Sequence, residues 1–474
     1  MNPIPFPSMA DAPTRVRLLA ADLYLRRAPL RIPFHFGNAV LTELELVSLR
    51  VQVDVAGCGV TQGASESVLA PLWFDKDPTK PLARRRAELL ASVRRAADAM
   101  REQDAASLVE LHREAAGAVA EGARAAGAHE LVASFGVALV EMALVDALCR
   151  AQDTTLHVAL REDLLGLGPA FAAHLPERPP ERIAVRHTVG MGDPLTGGAD
   201  VTDPLDDGLP QTLEEVLRET GGRYFKLKIP GDPEAAVARM AQVAEVLDAA
   251  SVDYRLTVDG NEQFGEVDTL AAFVALSKST PALADAWART LWIEQPMGRD
   301  ETFDPAIAEP LAAIAADKPV VIDEADATDD ALERALELGY SGSSAKTCKG
   351  ILRVLRAQRV IGEWNASGRR PAVLAGEDLT CVPLLGLHQD SCVAASLGIA
   401  HLERNGHHYV RGAAHLSAPE RTWALKALPA LYRPLADGTP ALRIEGGSID
   451  ATQLCRHAFG ADFTPDWDAR EALE

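Results

Sequence analysis

The sequence predicts an α+β domain over residues 1–150 followed by an α/β domain, a modified (β/α)8 barrel, over about 180–415. Three observations carry that expectation. The N-terminal stretch reads first as alternating strands and then as helices. From Ile183 onward, short apolar runs alternate with amphipathic helical texture. The 474 residues also exceed the ~100–200 of one ordinary domain.

Taken in order, RVRLLAADLYLRR and ELELVSLRVQVDVAG alternate apolar and polar residues as strands do, and APLRIPFHFGN breaks them with Pro and Gly. LARRRAELLASVRRAADAM sets Leu and Ala on one helical stripe and Arg on the other. SFGVALVEMALVDALCRAQ is nearly apolar all round, the texture of a buried helix. RIAVRHTVG, YFKLKI, YRLTVDG, LWIEQP, PVVIDEA, YSGSSAK and PAVLAGED then read as seven buried parallel strands, with a weaker eighth near GHHYVRG. Helical segments such as DPEAAVARMAQVAEVLDAA and DDALERALELG lie between them. GMGDPLTGGADVTDPLDDG reads as an inserted loop, and the tail 416–474 is expected to return to the first domain.

Lys and Arg total 47 against 68 Asp and Glu, a formal charge of −21. That balance argues against nucleic acid or an anionic membrane as the main partner, since both need a basic face. No uninterrupted apolar run reaches the ~18 residues of a membrane span. The opening MNPIPFPSMADAP has neither the basic start nor the apolar core of a secretory signal. Six scattered cysteines without a CxxC pair read as free thiols in a reducing compartment. A soluble, cytoplasmic protein is expected.

In a barrel of this kind the chemistry sits where strands end. Three successive strands end in Asp259, Glu294 and Asp323, with 35 residues between the first two and 29 between the last two, about one βα unit each. Carboxylates converging from adjacent strands repel unless a cation lies between them. An all-oxygen set with open positions suits Mg²⁺, with Mn²⁺ as a substitute. Lys226 and Lys228 share one side of their strand. Lys346, four strands later, faces them across the mouth. Alone, a Lys-x-Lys is a solvated strand edge; beside three strand-end acids it reads as acid/base chemistry.

KLK, VDGNEQ, IEQP, IDEA and AKTCKG, in that order, resemble the enolase superfamily, in its muconate-lactonizing-enzyme-like subgroup within the mandelate racemase/muconate lactonizing enzyme family. ALVEMALVDALCRAQ resembles the helix that joins the superfamily's capping domain to its barrel. RIPFHFGN and QGASES resemble its substrate-covering loops. The resemblance implies metal ligands at Asp259, Glu294 and Asp323, and opposed acid/base residues at Lys228 and Lys346. It places Lys226 against a substrate carboxylate, and Asn261 and Glu324 behind the ligands.

Two departures stand out. After Lys346 the chain reads TCKGIL with a single Gly350, so Lys349 competes with Lys346 for the strand-six role. Lys346, four residues before the glycine, is the better match, and Lys349 is expected to be dispensable. Where the subgroup's dipeptide epimerases carry Asp-x-Asp, the strand-eight region is read as HHYVRG, so His408 or Arg411 is expected to meet an oxygen-rich or anionic substrate. Glu377 or Asp378 at the seventh strand end, and His35 in a covering loop, complete the candidate substrate contacts.

The expected function is Mg²⁺-dependent removal of the proton α to a carboxylate through an enediolate, in a racemase or epimerase with two opposed lysines. An acid dehydratase or a cycloisomerase is the alternative within the superfamily. A non-catalytic, metal-stabilised binding protein on the same fold is the alternative of another class. A small carboxylate substrate and a homo-oligomeric assembly are the expected partners.

Overall fold

The computed structural model describes residues 13–36, 39–201, 203–460 and 462–473. The N-terminal domain opens with an antiparallel meander of β1 (Val16–Phe36), β2 (Ala39–Val55) and β3 (Gly59–Val68). In β2, Val51, Val53 and Val55 are buried while Gln52 and Asp54 are exposed, which leaves the sheet one dry and one wet face. Helices α1 (Pro71–Phe74), α2 (Leu82–Arg101), α3 (Leu108–Ala125) and α4 (Glu130–Ala151) cover the dry face.

α4 explains its own apolarity. It lies between the sheet, α2 and α3 on one side and the turn after the sixth barrel strand on the other, so every residue from Leu131 to Cys149 is buried. Its length and composition would let it cross a membrane, which corrects the sequence expectation of no such segment, but it is wholly enclosed in protein. Its two buried acids both have partners: Glu141 pairs with His112 of α3, and Asp146 Oδ2 accepts from the Ala64 amide at 2.9 Å and Arg150 at 2.8 Å.

The barrel strands are β4 (Arg182–Val189), β5 (Tyr224–Lys228), β6 (Arg255–Asp259), β7 (Thr290–Glu294), β8 (Val320–Val321), β9 (Gly342–Ala345), β10 (Val373–Gly376) and β11 (His401–Arg404). All neighbouring pairs are parallel, in the order β8-β7-β6-β5-β4-β11-β10-β9, and a bridge between Ile322 and Ser343 closes the ring. The predicted fold class is the observed one. Alternation sends Phe225 and Leu227 out to the helices and Tyr224, Lys226 and Lys228 inward.

Under Lys226 the barrel is plugged by a stack: Tyr224 on His401 at 4.5 Å, His401 on Trp292 at 5.3 Å, and the Arg186 guanidinium over Trp292 at 5.0 Å. This floor confines polar chemistry to the strand-end mouth.

The eighth strand requires a correction. It is HLER, at His401–Arg404, and GHHY forms a short helix at Gly406–Tyr409. The Asn405-Gly406 pair breaks the extended run, so the strand ends at Glu403 and Arg404 and not among the histidines.

Beyond the barrel, β12 (Tyr432–Pro434) and β13 (Pro440–Leu442) pair with each other. β14 (Ser448–Asp450) lies antiparallel on the first half of β4, which β5 does not reach. β15 (Glu471–Leu473) pairs with β1.

Candidate active site

Lys226 is the centre of the mouth. Its Nζ lies 3.0 Å from Asp259, 2.7 Å from Glu294, 2.7 Å from Glu377 and 2.9 Å from Glu403, and the residue is 0% exposed. Burial alone would lower its proton affinity, but four carboxylates drive it well above the ordinary lysine value. Lys226 is therefore an internal counter-ion to these four acids.

The two other lysines sit at the ends of the carboxylate arc. Lys228 Nζ is 2.6 Å from Asp259 Oδ2, and Lys346 Nζ is 2.5 Å from Asp323 Oδ2. β5 and β9 are the second and sixth strands of eight, so these amines approach from opposite walls. Burial raises the Asp259 and Asp323 carboxyls, yet their lysines outweigh it and hold both below the usual range.

Glu294 behaves in the opposite way. Burial first, and then Asp259 and Glu377, push its carboxyl well above the ordinary value. Its Oε2 has no aligned hydrogen-bond donor, and neither has Oε2 of the equally buried Glu324. Among the described residues, seven buried carboxylates (Asp259, Glu294, Asp323, Glu324, Asp326, Glu377, Glu403) thus face five buried or half-buried cations (Arg186, Lys226, Lys228, Lys346, Lys349). The deficit of positive charge falls on the middle member of Asp259, Glu294 and Asp323. A hard divalent cation, which prefers oxygen donors, fits this donor set and this deficit.

The strand ends are held in unusual backbone. Asn261, Glu262 and Gln295 have φ of 43°, 66° and 30°. Such left-handed non-glycine residues persist only where bonds over-determine them. Here the Asn261 amide donates to Asp259 Oδ1 at 2.8 Å, the Glu262 amide to Gln295 O at 2.8 Å, and the Gln295 amide to Val321 O at 2.8 Å. Gln295 Oε1 also accepts from the Asp323 amide at 2.7 Å. These bonds aim the three acids.

Asn261 Nδ2 donates to Glu324 Oε1 at 3.2 Å, so this pair lies behind the strand-end acids. Of the adjacent acids after β10, Glu377 faces Lys226 and Arg186. Asp378 turns away to the Cys381 amide at 2.7 Å and to Arg404 at 3.5 Å. Burial raises the Asp378 carboxyl to about 6. Asp378 is thus outside the Lys226 cluster.

Two further sequence candidates do not join it either. Arg411 is paired with Asp437 of the tail at 2.8 Å. His408 lies on the outer side of β4, with its ring 5.0 Å from that of His187, because Arg186 and Thr188 take the inward positions. His35 belongs to β1, opposite Val40, but its side chain lies outside the described residues.

The sequence reading missed Glu403, which accepts from Thr188 Oγ1 at 2.6 Å and from the Asp378 amide at 3.0 Å. A strand assigned to HLER would have found it. The strand end carries Glu403 and Asn405, so the argument from HHYVRG rested on residues past the strand. Arg186 and Thr188 were visible only as alternate residues of RIAVRHTVG.

Lys349, expected to be dispensable for turnover, is placed in a structural network. It is 2% exposed and donates to Asp323 O at 3.1 Å, Asp326 Oδ2 at 3.1 Å and Ser344 Oγ at 2.7 Å. Lys349→Met is expected to lose about 3 kcal/mol of stability in urea unfolding, the cost of orphaning a buried acid. A loss below about 1 kcal/mol would mean that the network does not depend on it.

His187, His407 and His408 form a buried cluster with ring separations of 5.0 and 5.3 Å from His187, next to Arg31 and Arg404. Burial first, then neighbouring positive groups, hold each imidazole well below its ordinary proton affinity. As pH falls through ~6.5 the unfolded histidines bind protons and the folded ones do not, so stability falls by up to ~1.4 kcal/mol per pH unit for each. His408→Gln should flatten the stability slope between pH 6.5 and 5 by about that amount in urea titrations, and an unchanged slope would remove His408 from the account.

Residues 209–365 match the family described as Enolase C-terminal domain-like. No curated protein matches. Among solved structures, a dipeptide epimerase from Cytophaga hutchinsonii complexed with Mg and D-Ala-L-Val superposes with TM-score 0.62 at 14% identity, covering 96% of this chain and 99% of that one. An enolase from Bradyrhizobium complexed with magnesium and mandelic acid gives 0.59 at 16%, covering 97% and 99%. A muconate lactonizing enzyme from Pseudomonas fluorescens complexed with muconolactone gives 0.57 at 17%, covering 96% and 99%. At these identities the likeness is one of fold.

Proposed function

From a chain that has the enolase-superfamily fold and a barrel segment of the enolase C-terminal domain-like family, we propose an Mg²⁺-dependent enzyme that removes and returns the proton α to a substrate carboxylate, as a racemase or epimerase. The observation that carries the proposal is the pair Lys228 and Lys346, held on opposite walls by the two outer members of the Asp259, Glu294 and Asp323 arc. Bound by those three acids, the cation would supply positive charge to a substrate carboxylate and so acidify its α-hydrogen.

The chain's own residues do the rest. Lys226 stays with Glu377 and Glu403 and keeps the acids from repelling one another apart. A cation held by the strand-end acids would compete with Lys228 and Lys346 for Asp259 and Asp323 and so leave both amines free to act. One amine takes the proton from one face of the α-carbon, and the other delivers a proton to the opposite face. Arg31 of β1 binds Asp207 of the inserted loop and donates to His408 O at 2.8 Å, which ties the capping sheet to the inserted loop and to the segment after β11.

The test is Mg²⁺-dependent exchange of substrate α-hydrogen with solvent deuterium, screened over N-acylamino acids, dipeptides, hydroxy acids and sugar acids. Exchange that disappears with chelator and in Asp323→Asn is expected. Metal binding without exchange on any class would favour a binding protein. Exchange accompanied by loss of water would favour a dehydratase.

A further inference from the structure

Trp73, in α1 of the capping domain, lays its indole face against the barrel at the amine of Lys346. Lys346 Nζ lies 4.7 Å from the centre of the Trp73 ring. The indole Nε1–H, in the ring plane, donates to Glu324 Oε1 at 3.1 Å, the atom that also accepts from Asn261. Trp73 is 4% exposed and Lys346 is 4% exposed, so both contacts are made out of water. A desolvated ammonium against an indole face is held more strongly than one at a surface.

The segment carrying Trp73 is itself clamped. Arg299, in the loop after β7, donates to Trp73 O at 3.1 Å and to Phe74 O at 3.2 Å, while its guanidinium grips Glu262 through two contacts of 2.8 Å. Lys76, three residues after Trp73, also pairs with Glu262. Glu262 is one of the left-handed residues of the β6 turn that carries Asp259 and Asn261. The cover over Lys346 and the turn that aims a strand-end acid are therefore one bonded unit.

We propose that Trp73 is the positioning residue for Lys346, and that its indole, locked by Arg299 and Glu262, keeps that amine on its wall of the mouth while leaving Lys228 untouched. Among the described residues Lys228 has no such cover: its amine bonds only Asp259 there, and its side chain is 13% exposed. The two lysines thus differ in kind, one sheltered by the capping domain and the other open to the mouth. The placement of Lys346 holds whatever the reaction is; its catalytic consequence rests on the two-lysine reading above.

Two measurements separate these levels. The first is lysine acylation by a small anhydride, followed by peptide mass spectrometry on the full-length protein. Lys346 should be protected in the wild type and in Trp73→Phe, which keeps an aromatic face. In Trp73→Leu its labelling should rise about tenfold with labelling of Lys228 unchanged. Arg299→Gln, which frees the segment without touching the indole, should raise it by a smaller factor.

If Lys346 stays protected in Trp73→Leu, the positioning role is refuted. It is equally refuted if Lys228 labelling rises in parallel, which is the sign of general loosening. Should Trp73→Leu fail to fold, Arg299→Gln decides: Lys346 labelled no faster than in the wild type overturns the proposal. The second measurement is α-hydrogen exchange, where Trp73→Leu should lower kcat about tenfold for the epimer served by Lys346, with KM little changed and Trp73→Phe restoring most of it. If the wild type exchanges no substrate, the two-lysine reading fails while the labelling result still stands.

Discussion

Lys228→Ala is expected to abolish α-hydrogen exchange from one epimer of the substrate and to leave measurable exchange from the other, with Lys346→Ala showing the reverse. The expectation is geometric. β5 and β9 stand four places apart in an eight-stranded ring, and their lysines are tied to Asp259 and Asp323, the two outer acids of the arc. A carboxylate held near the middle of that arc places its α-carbon between the two amines, and each amine then serves one face. Losing a positioned acid/base group costs ~10²–10⁴-fold on the face it serves. Deuterium incorporation from each separate epimer, followed by NMR, reads the asymmetry directly. Equal loss from both epimers in both variants would point to one-base elimination, with the second lysine acting only through its charge.

Lys226→Met should be the most damaging substitution for stability. The methionine side chain matches the lysine stem, so packing changes little while four buried carboxylates lose their shared cation. Removing one partner of a buried ion pair typically costs ~3–5 kcal/mol, and here one amine serves four acids. Urea unfolding in chelator should show at least that loss. Adding Mg²⁺ should recover part of it, because an ion that binds only the folded state stabilises by mass action. A cost below about 1 kcal/mol in chelator would mean that the acids are protonated or solvated, and that Lys226 is not their counter-ion.

Much of this was legible in the chain, for identifiable reasons. Strand ends in a parallel barrel are marked by a change from apolar run to polar turn, and YRLTVDG, LWIEQP and PVVIDEA each make that change at an acid. Alternation alone put Lys226 and Lys228 on one side of β5. HLER carried no such mark. It is half charged, because Glu403 faces inward to Lys226 while Arg404 pairs with Asp390 at 2.8 Å, and a buried charged strand looks like a loop. The histidines that follow were more conspicuous and drew the strand boundary past its true end.

Local patterning by itself therefore determined the barrel, the order of its strand-end acids and lysines, and the charge that disfavours nucleic acid. These follow from periodicities of two and 3.6 residues and from composition, which involve only neighbours in sequence. Contacts between residues far apart in the chain were decided by the tertiary structure alone. It made Lys226 an internal counter-ion, turned Glu377 inward and Asp378 away, and sent His408 behind β4 and Arg411 to the tail. It also brought Trp73 onto Lys346 across 273 residues, the difference between their positions. The physical reason is that a charge's role depends on which opposite charges share its low-dielectric surroundings, and those surroundings exist only after the chain has closed around them.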